Sequence, residues 1–302
     1  VNVTAFWNAR RIGVSLEIND QIAETTQSER GPRESAPEQA LAGFLRKHGA
    51  ERDALVLENG FWVLNRTLPA ITASQQIAAT IPGLLWRFPW PKSMRWGQGS
   101  SFTWVRPLRR VICLLDGELV PFSLATDTDD AQGLVAGTQT EGHRFMAPEA
   151  FEVTSFEQLR SELFARKVVL DPAQRLSIIR DGLQAQAERA SLTLVQDDKL
   201  VEEVSGLAEW PVALLGRIDD AYMDLPPEVM QVSMRINQRY FALRTADSKA
   251  APHFAFIANM DFADGGALTI AGNERVLRAR FADARHFWDL DRKTTLADRV
   301  AA

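Results

Sequence analysis

Residues 84–110 carry the basic side chains Arg87, Lys92, Arg95, Arg106, Arg109 and Arg110 and no acidic one. Trp86, Phe88, Trp90, Trp96, Phe102 and Trp104 are interleaved with them. Cations neutralise phosphates and aromatic faces stack on unpaired bases, so the block reads as a nucleic-acid contact. It also reads as an aromatic core whose arginines pair with carboxylates elsewhere in the fold, and composition leaves both readings open. A second basic series, Arg278, Arg285 and Arg292, recurs every seven residues beside an apolar helical stripe. It makes either a phosphate-facing ridge or a set of solvated pairs, because Glu274 and Asp289 stand four residues from Arg278 and Arg285. His143-Arg144-Phe145 follows Glu141-Gly142; the His143-Arg144 pair reads as an exposed turn able to touch RNA, or else His143 is a satisfied structural residue.

Catalytic constellations are absent from the pattern. His48, His143, His253 and His286 are far apart, with no His-x-x-x-His and no Cys pair, so no metal site is expected. No Gly-x-Ser-x-Gly elbow occurs. Gly97-Gln98-Gly99-Ser100-Ser101 lacks the Lys-Ser/Thr of a phosphate-cradling loop and reads as a plain turn. Pro91-Lys92-Ser93-Met94-Arg95 has the look of a class I synthetase lysine loop, but the His-x-Gly-His partner is missing. Nothing assembles a nucleophile, a base and an oxyanion site.

The elements that position these residues alternate without a regular βαβ rhythm, which predicts an α+β fold of mixed or antiparallel sheets with packed helices. Ile12, Val14, Leu16 and Ile18 alternate as a strand. Ser35-Ala36-Pro37-Glu38 reads as a capping box opening a helix that ends near Gly49. Leu55-Val56-Leu57 and Phe61-Trp62-Val63-Leu64 flank Asn59-Gly60, a type I′ hairpin signal. A helix over about 74–85 leads into the basic block, and strands return at 111–115 and 119–122 around Asp116-Gly117. Helical stripes follow at Leu176, Ile179, Leu183 and Ala187, then at Leu200, Val204 and Leu207. Strands are predicted at 212–215, 240–243 and 254–258, a helix opens at Pro226-Pro227, and Leu277, Phe281, Ala284 and Trp288 line a final helix.

The length of 302 residues suits about two domains, and a composition 46% hydrophobic and 24% charged is that of a soluble globular chain. We divide it into an N-terminal α+β domain (1–155), a helical insertion (156–208) and a second α+β portion ending in a helix (209–302). No run approaches a membrane span, and the net charge of −5 argues against wholesale polyanion binding while leaving local patches open. The lone Cys113, within Val111-Ile112-Cys113-Leu114-Leu115, is expected to be buried in a strand and inert, in a reducing compartment. Val1 and the unterminated helical pattern near Ala302 suggest a piece of a longer polypeptide.

At these same residues the chain resembles the β subunit of the bacterial heterotetrameric glycyl-tRNA synthetase. The resemblance rests on Pro91-Lys92-Ser93-Met94-Arg95-Trp96-Gly97, Val105-Arg106-Pro107 and Gly142-His143-Arg144-Phe145-Met146. It continues through Glu209-Trp210-Pro211-Val212, Gln238-Arg239-Tyr240-Phe241 and Phe256-Ile257-Ala258-Asn259. Gly272-Asn273-Glu274-Arg275-Val276-Leu277-Arg278, Asp283-Ala284 and Asp291-Arg292-Lys293 complete the ordered series.

The resemblance implies a cytoplasmic α2β2 enzyme that joins glycine to tRNA(Gly) using ATP and Mg through the α subunit. The β chain, paired with α and with a second β subunit, recognises tRNA and supports assembly. It implies a region similar to the B3/B4 portion of the phenylalanyl enzyme's β chain, with the family's opening segment and its downstream domains missing here. This chain by itself is then expected to hold no cofactor and to form no glycyl-adenylate. The residues expected at tRNA are Lys92, Arg95, Trp96, Arg106, His143, Arg144, Arg278 and Arg285. Two alternatives remain: an architectural module docking the α dimer, which predicts an exposed apolar patch, and an editing-type hydrolase built on Glu141, His143, Asn259 and Asp261.

Overall fold

The computed structural model describes residues 2–294 and 296–300. It is α+β, with mostly antiparallel sheets and packed helices. Two compact units divide the chain: Glu17–Thr138, and a second unit that combines Asn2–Leu16 with the chain from Gln139 onward.

In the first unit a three-stranded antiparallel sheet runs in the order Thr25–Arg33, Phe61–Leu68, Leu55–Glu58. Asn59 and Gly60 both take positive φ, as the type I′ turn demands, so the hairpin forms where its dipeptide places it. Helix Glu38–His48 packs Leu41 against Leu55 and Leu64 of that sheet and stops at left-handed Gly49. Its expected capping box does not form: Pro37 is the N-cap and no side chain caps the helix. The helix Ala73–Trp86 does open with a capping box, in which Thr72 accepts from the Gln75 amide and Gln75 accepts from the Thr72 amide. The strand expected over 111–115 is broken. Val111–Ile112 pairs in parallel with Ala136–Gly137, whereas Leu114–Leu115 turns back through Asp116-Gly117 onto Glu118–Leu119.

Cys113 sits at that break, half-buried rather than buried. Partial burial still pushes the thiol pKa up, because a thiolate loses solvation there. Labelling by a disulfide reagent should therefore run slower than on a free thiol at pH 7. The rate should rise only at a pH above the ordinary thiol pKa of about 8.5. A rate at pH 7 equal to that of free cysteine would contradict this.

In the second unit a four-stranded antiparallel sheet has the order Thr193–Leu194, Phe241–Arg244, Ala250–Ala258, Val212–Arg217. Ala250–Ala258 is apolar on both sides because both faces are covered. Ala251 and Ala255 meet Ile179 and Leu183 of helix Pro172–Arg189 and Leu200 of helix Asp198–Ser205. On the other face Phe254 and Phe256 meet Leu277 and Phe281 of helix Ala267–Asp291 and Met230 of helix Pro227–Ser233. The predicted stripes are therefore the two helical layers.

The N-terminal ribbon of this unit, Val3–Trp7 against Ile12–Leu16, is fastened by buried charge. Glu209, only 1% exposed, accepts from both Arg10 and Arg11. Arg175 is fully buried and donates to the carbonyls of Ser205, Val169, Leu170 and Trp7.

Candidate nucleic-acid interface

The aromatic residues of the block in the first unit turn inward. Phe102 is 0% and Trp104 5% exposed, and Trp86, Phe88, Trp90 and Trp96 pack around them. Ring centroids lie 5.0 Å apart for Trp86 and Phe102, 5.1 Å for Phe88 and Trp104, and 5.6 Å for Trp96 and Phe102, most in edge-on or tilted arrangements. The Trp86 Nε1–H donates to the Leu124 carbonyl at 2.8 Å. These faces are engaged with one another, so the aromatic half of the block is core.

The basic half turns outward. Arg87, Lys92, Arg95, Arg106, Arg109 and Arg110 are all exposed. The carboxylates that the core reading supplied to the first four are missing: Arg87, Lys92, Arg95 and Arg106 have no ion-pair partner among the described residues. Arg95 lies in the short strand Met94–Arg95, paired with Thr103–Trp104, so the buried Trp104 anchors the ribbon that displays it.

The turn closing that ribbon is fixed by Asp129. Its carboxylate accepts from Ser100 Oγ at 2.6 Å, from the Ser101 amide at 2.6 Å and hydroxyl at 2.7 Å, and from the Ala131 amide at 2.8 Å. Those hydrogen bonds, led by Ser100 and Ser101, hold its pKa far below the usual carboxylate range. The turn thus binds its anion internally, which agrees with the plain-turn reading of Gly97-Gln98-Gly99-Ser100-Ser101. Gln132 Nε2 adds a hydrogen bond to the Trp96 carbonyl at 2.7 Å, and the half-buried Trp96 ring faces the core.

In the second unit Arg278 and Arg285 find carboxylates, though not the ones their helix spacing suggested. Arg278 Nε donates to Asp219 at 3.0 Å, and Arg285 binds Asp224 and the Ala221 carbonyl. Glu274 instead accepts from the Arg217 amide at 2.8 Å. The expected i,i+4 pairs are replaced because the segment after strand Val212–Arg217 brings its own aspartates to the helix. Most of the charge on that ridge is matched locally.

His143 is 1% exposed, and the structure gives it the structural role. Its Nε2 lies 2.7 Å from the Asn259 carbonyl, while Nδ1 accepts from the Phe145 and Met146 amides at 3.3 Å. That pattern of partners is the one the Nε2–H tautomer satisfies. Arg144, the next residue, is exposed.

The four residues considered for hydrolysis lie in one neighbourhood but hold structure. Asn259 Oδ1 accepts from the Glu209 and Trp210 amides, Glu141 accepts from Arg10, and Asp261 takes Lys167 Nζ at 3.1 Å and Trp210 Nε1 at 3.2 Å. Neither the cleft beside Arg180 and Asp197 nor the one between Val232 and Phe287 includes any of them. Among the described residues no cluster of three or more His, Cys, Asp or Glu side chains could hold a metal, and no helix is long and apolar enough to cross a membrane.

The sequence profile of the family described as "Glycyl-tRNA synthetase beta subunit" matches residues 1–302. The chain is 46% identical over 280 residues to the glycine–tRNA ligase beta subunit of Phenylobacterium zucineum, an alignment covering 92% of this chain and 41% of that protein. It is 42% identical over 318 residues to the protein of the same description from Rhodospirillum centenum, covering 97% and 44%. With that of Ruegeria sp. the identity is 40% over 296 residues, covering 95% and 42%. The chain thus spans less than half the length of these curated relatives.

Proposed function

Because this chain belongs to the glycyl-tRNA synthetase β-subunit family, we propose that it binds and positions tRNA(Gly) for ATP-dependent glycyl-tRNA synthesis in an α2β2 assembly, in the cytoplasm. Glycyl-adenylate chemistry, with ATP and Mg, belongs in this reading to the α subunit, and a second β subunit completes the enzyme. The observation that carries it is the outward set Arg87, Lys92, Arg95 and Arg106, exposed and, among the described residues, without carboxylate partners, on a packed aromatic base. Each such cation that meets a phosphate releases a condensed counterion, so affinity falls with salt in proportion to the contacts made. A fixed base keeps the cations in register with the phosphates, which positions the RNA without reading its sequence.

Lys92→Gln, Arg95→Gln and Arg106→Gln, each made in this chain, test the reading. Each variant should keep its melting temperature and lower the slope of log affinity for tRNA(Gly) against log salt by about one contact. Unchanged slopes for all three would overturn it.

Assembly with the α subunit is the second element of the reading, and a different surface favours it. Val3, Trp7, Ile12, Val14 and Leu16 are all exposed on one face of the N-terminal ribbon, where the register sets Val3 beside Leu16, Ala5 beside Val14 and Trp7 beside Ile12. A contiguous apolar ladder of this kind is the mark of a protein contact.

A further inference from the structure

The geometry points to Phe145 as a stacking platform for an unpaired nucleotide of RNA, with Arg144 as the cation beside it. This rests on the reading that the chain contacts RNA, and it places a contact in the second unit. Phe145 is 71% exposed, more than any other aromatic side chain among the exposed large hydrophobic residues. Single exposed apolar residues are ordinary, so exposure alone decides nothing. Two features act together at this ring, a firmly held backbone and a charged rather than apolar setting.

The buried His143 ring accepts both the Phe145 and the Met146 amide, and the Ala147 amide donates to the His143 carbonyl at 3.0 Å. The His143 amide donates to the Arg166 carbonyl at 2.9 Å, and the imidazole reaches the Asn259 carbonyl. The turn packs so tightly that a Cβ at Gly142 would lie 2.5 Å from the Ala147 carbonyl oxygen and from Arg166 Cβ. A fixed turn spares the backbone ordering that binding would otherwise cost.

The surroundings select the ligand. Trp7 and Phe287, the next most exposed aromatics, belong to an apolar ladder and an apolar groove. Phe145 is flanked instead by charge. The Arg144 guanidinium carbon lies 5.6 Å from its ring centroid. Asp261, whose amide donates to Met146 Sδ, is matched by Lys167. One edge of the ring meets the buried His143 imidazole, with centroids 6.2 Å apart, and the rest is open to solvent. A protein anchor sits in an apolar patch, whereas a single exposed aromatic beside a cation suits a base and its phosphate. His143 is then a positioning residue.

The test uses this chain and a single-stranded RNA hexamer carrying 2-aminopurine, whose fluorescence is quenched when the base stacks. Phe145→Ala should weaken binding about tenfold at an unchanged salt slope and melting temperature, and Phe145→Tyr should restore it to within about twofold. Arg144→Gln should lower the salt slope by about one. The assignment is overturned if the unsubstituted chain gives no quenching, if Phe145→Ala binds the hexamer as tightly as the unsubstituted chain, or if Phe145→Ala loses a protein partner while keeping RNA affinity. Lys92→Gln, measured in parallel, separates the two ideas. A reduced slope for Lys92→Gln beside unchanged Phe145→Ala binding removes the stacking contact and leaves the phosphate contacts in place.

Discussion

Arg175→Met should destabilise the chain by about 3–5 kcal/mol, since each buried acceptor left unpaired costs about 1–3 kcal/mol and the substitution strands four. The guanidinium is fully buried, and burial pushes its pKa down. It is retained because its donors reach the carbonyls of Val169, Leu170, Ser205 and Trp7. Methionine fills much of the volume and donates nothing, so those acceptors are stranded away from solvent. The Trp7 carbonyl belongs to the N-terminal ribbon, whose amides should therefore exchange faster with deuterium in the variant. Urea unfolding gives the size of the effect and hydrogen exchange its location. A loss below about 1 kcal/mol would mean that water enters to satisfy the carbonyls and that the clamp is dispensable.

The second large effect is expected at Phe102. Phe102→Ala should lower stability by about 3–5 kcal/mol, since it removes a ring with no exposed area from the centre of a cluster that cannot fully collapse. Trp86, Trp96 and Trp104 surround it, so tryptophan fluorescence follows the transition directly. RNA affinity, counted per folded molecule at low temperature, should retain its salt slope, because the ring faces its neighbours and the cations face solvent. The opposite result, full stability with lost RNA binding, would return the aromatic half of the block to base stacking and remove the division of labour described here.

That division shows where local reading stops. Asn59-Gly60 made a hairpin and Leu277, Phe281 and Trp288 made a helix face because the deciding interactions lie within a few residues of each other. The capping box at Ser35 failed although its spacing was right. Pro37 became the N-cap instead, and Thr72 with Gln75 formed the motif at another helix. Sequence marks the His143-Arg144 turn as a candidate RNA contact but not the Phe145 ring, since no periodicity marks one exposed aromatic. The nearest signal was its place between an arginine and a methionine in a Gly-His-Arg-Phe turn.

By itself the sequence determined the family, the α+β class and the existence of an acid-free basic block, all of which follow from residue identity and order. Tertiary structure alone decided which half of that block is core, and which arginines have partners. His143 meets Asn259 across 116 residues, Arg278 meets Asp219 across 59, and Arg10 meets Glu209 across 199. Spacing along a chain fixes contacts within a turn or a hairpin. Contacts at these separations depend on how the sheets are ordered, and Coulomb attraction then selects whichever carboxylate the topology brings within reach.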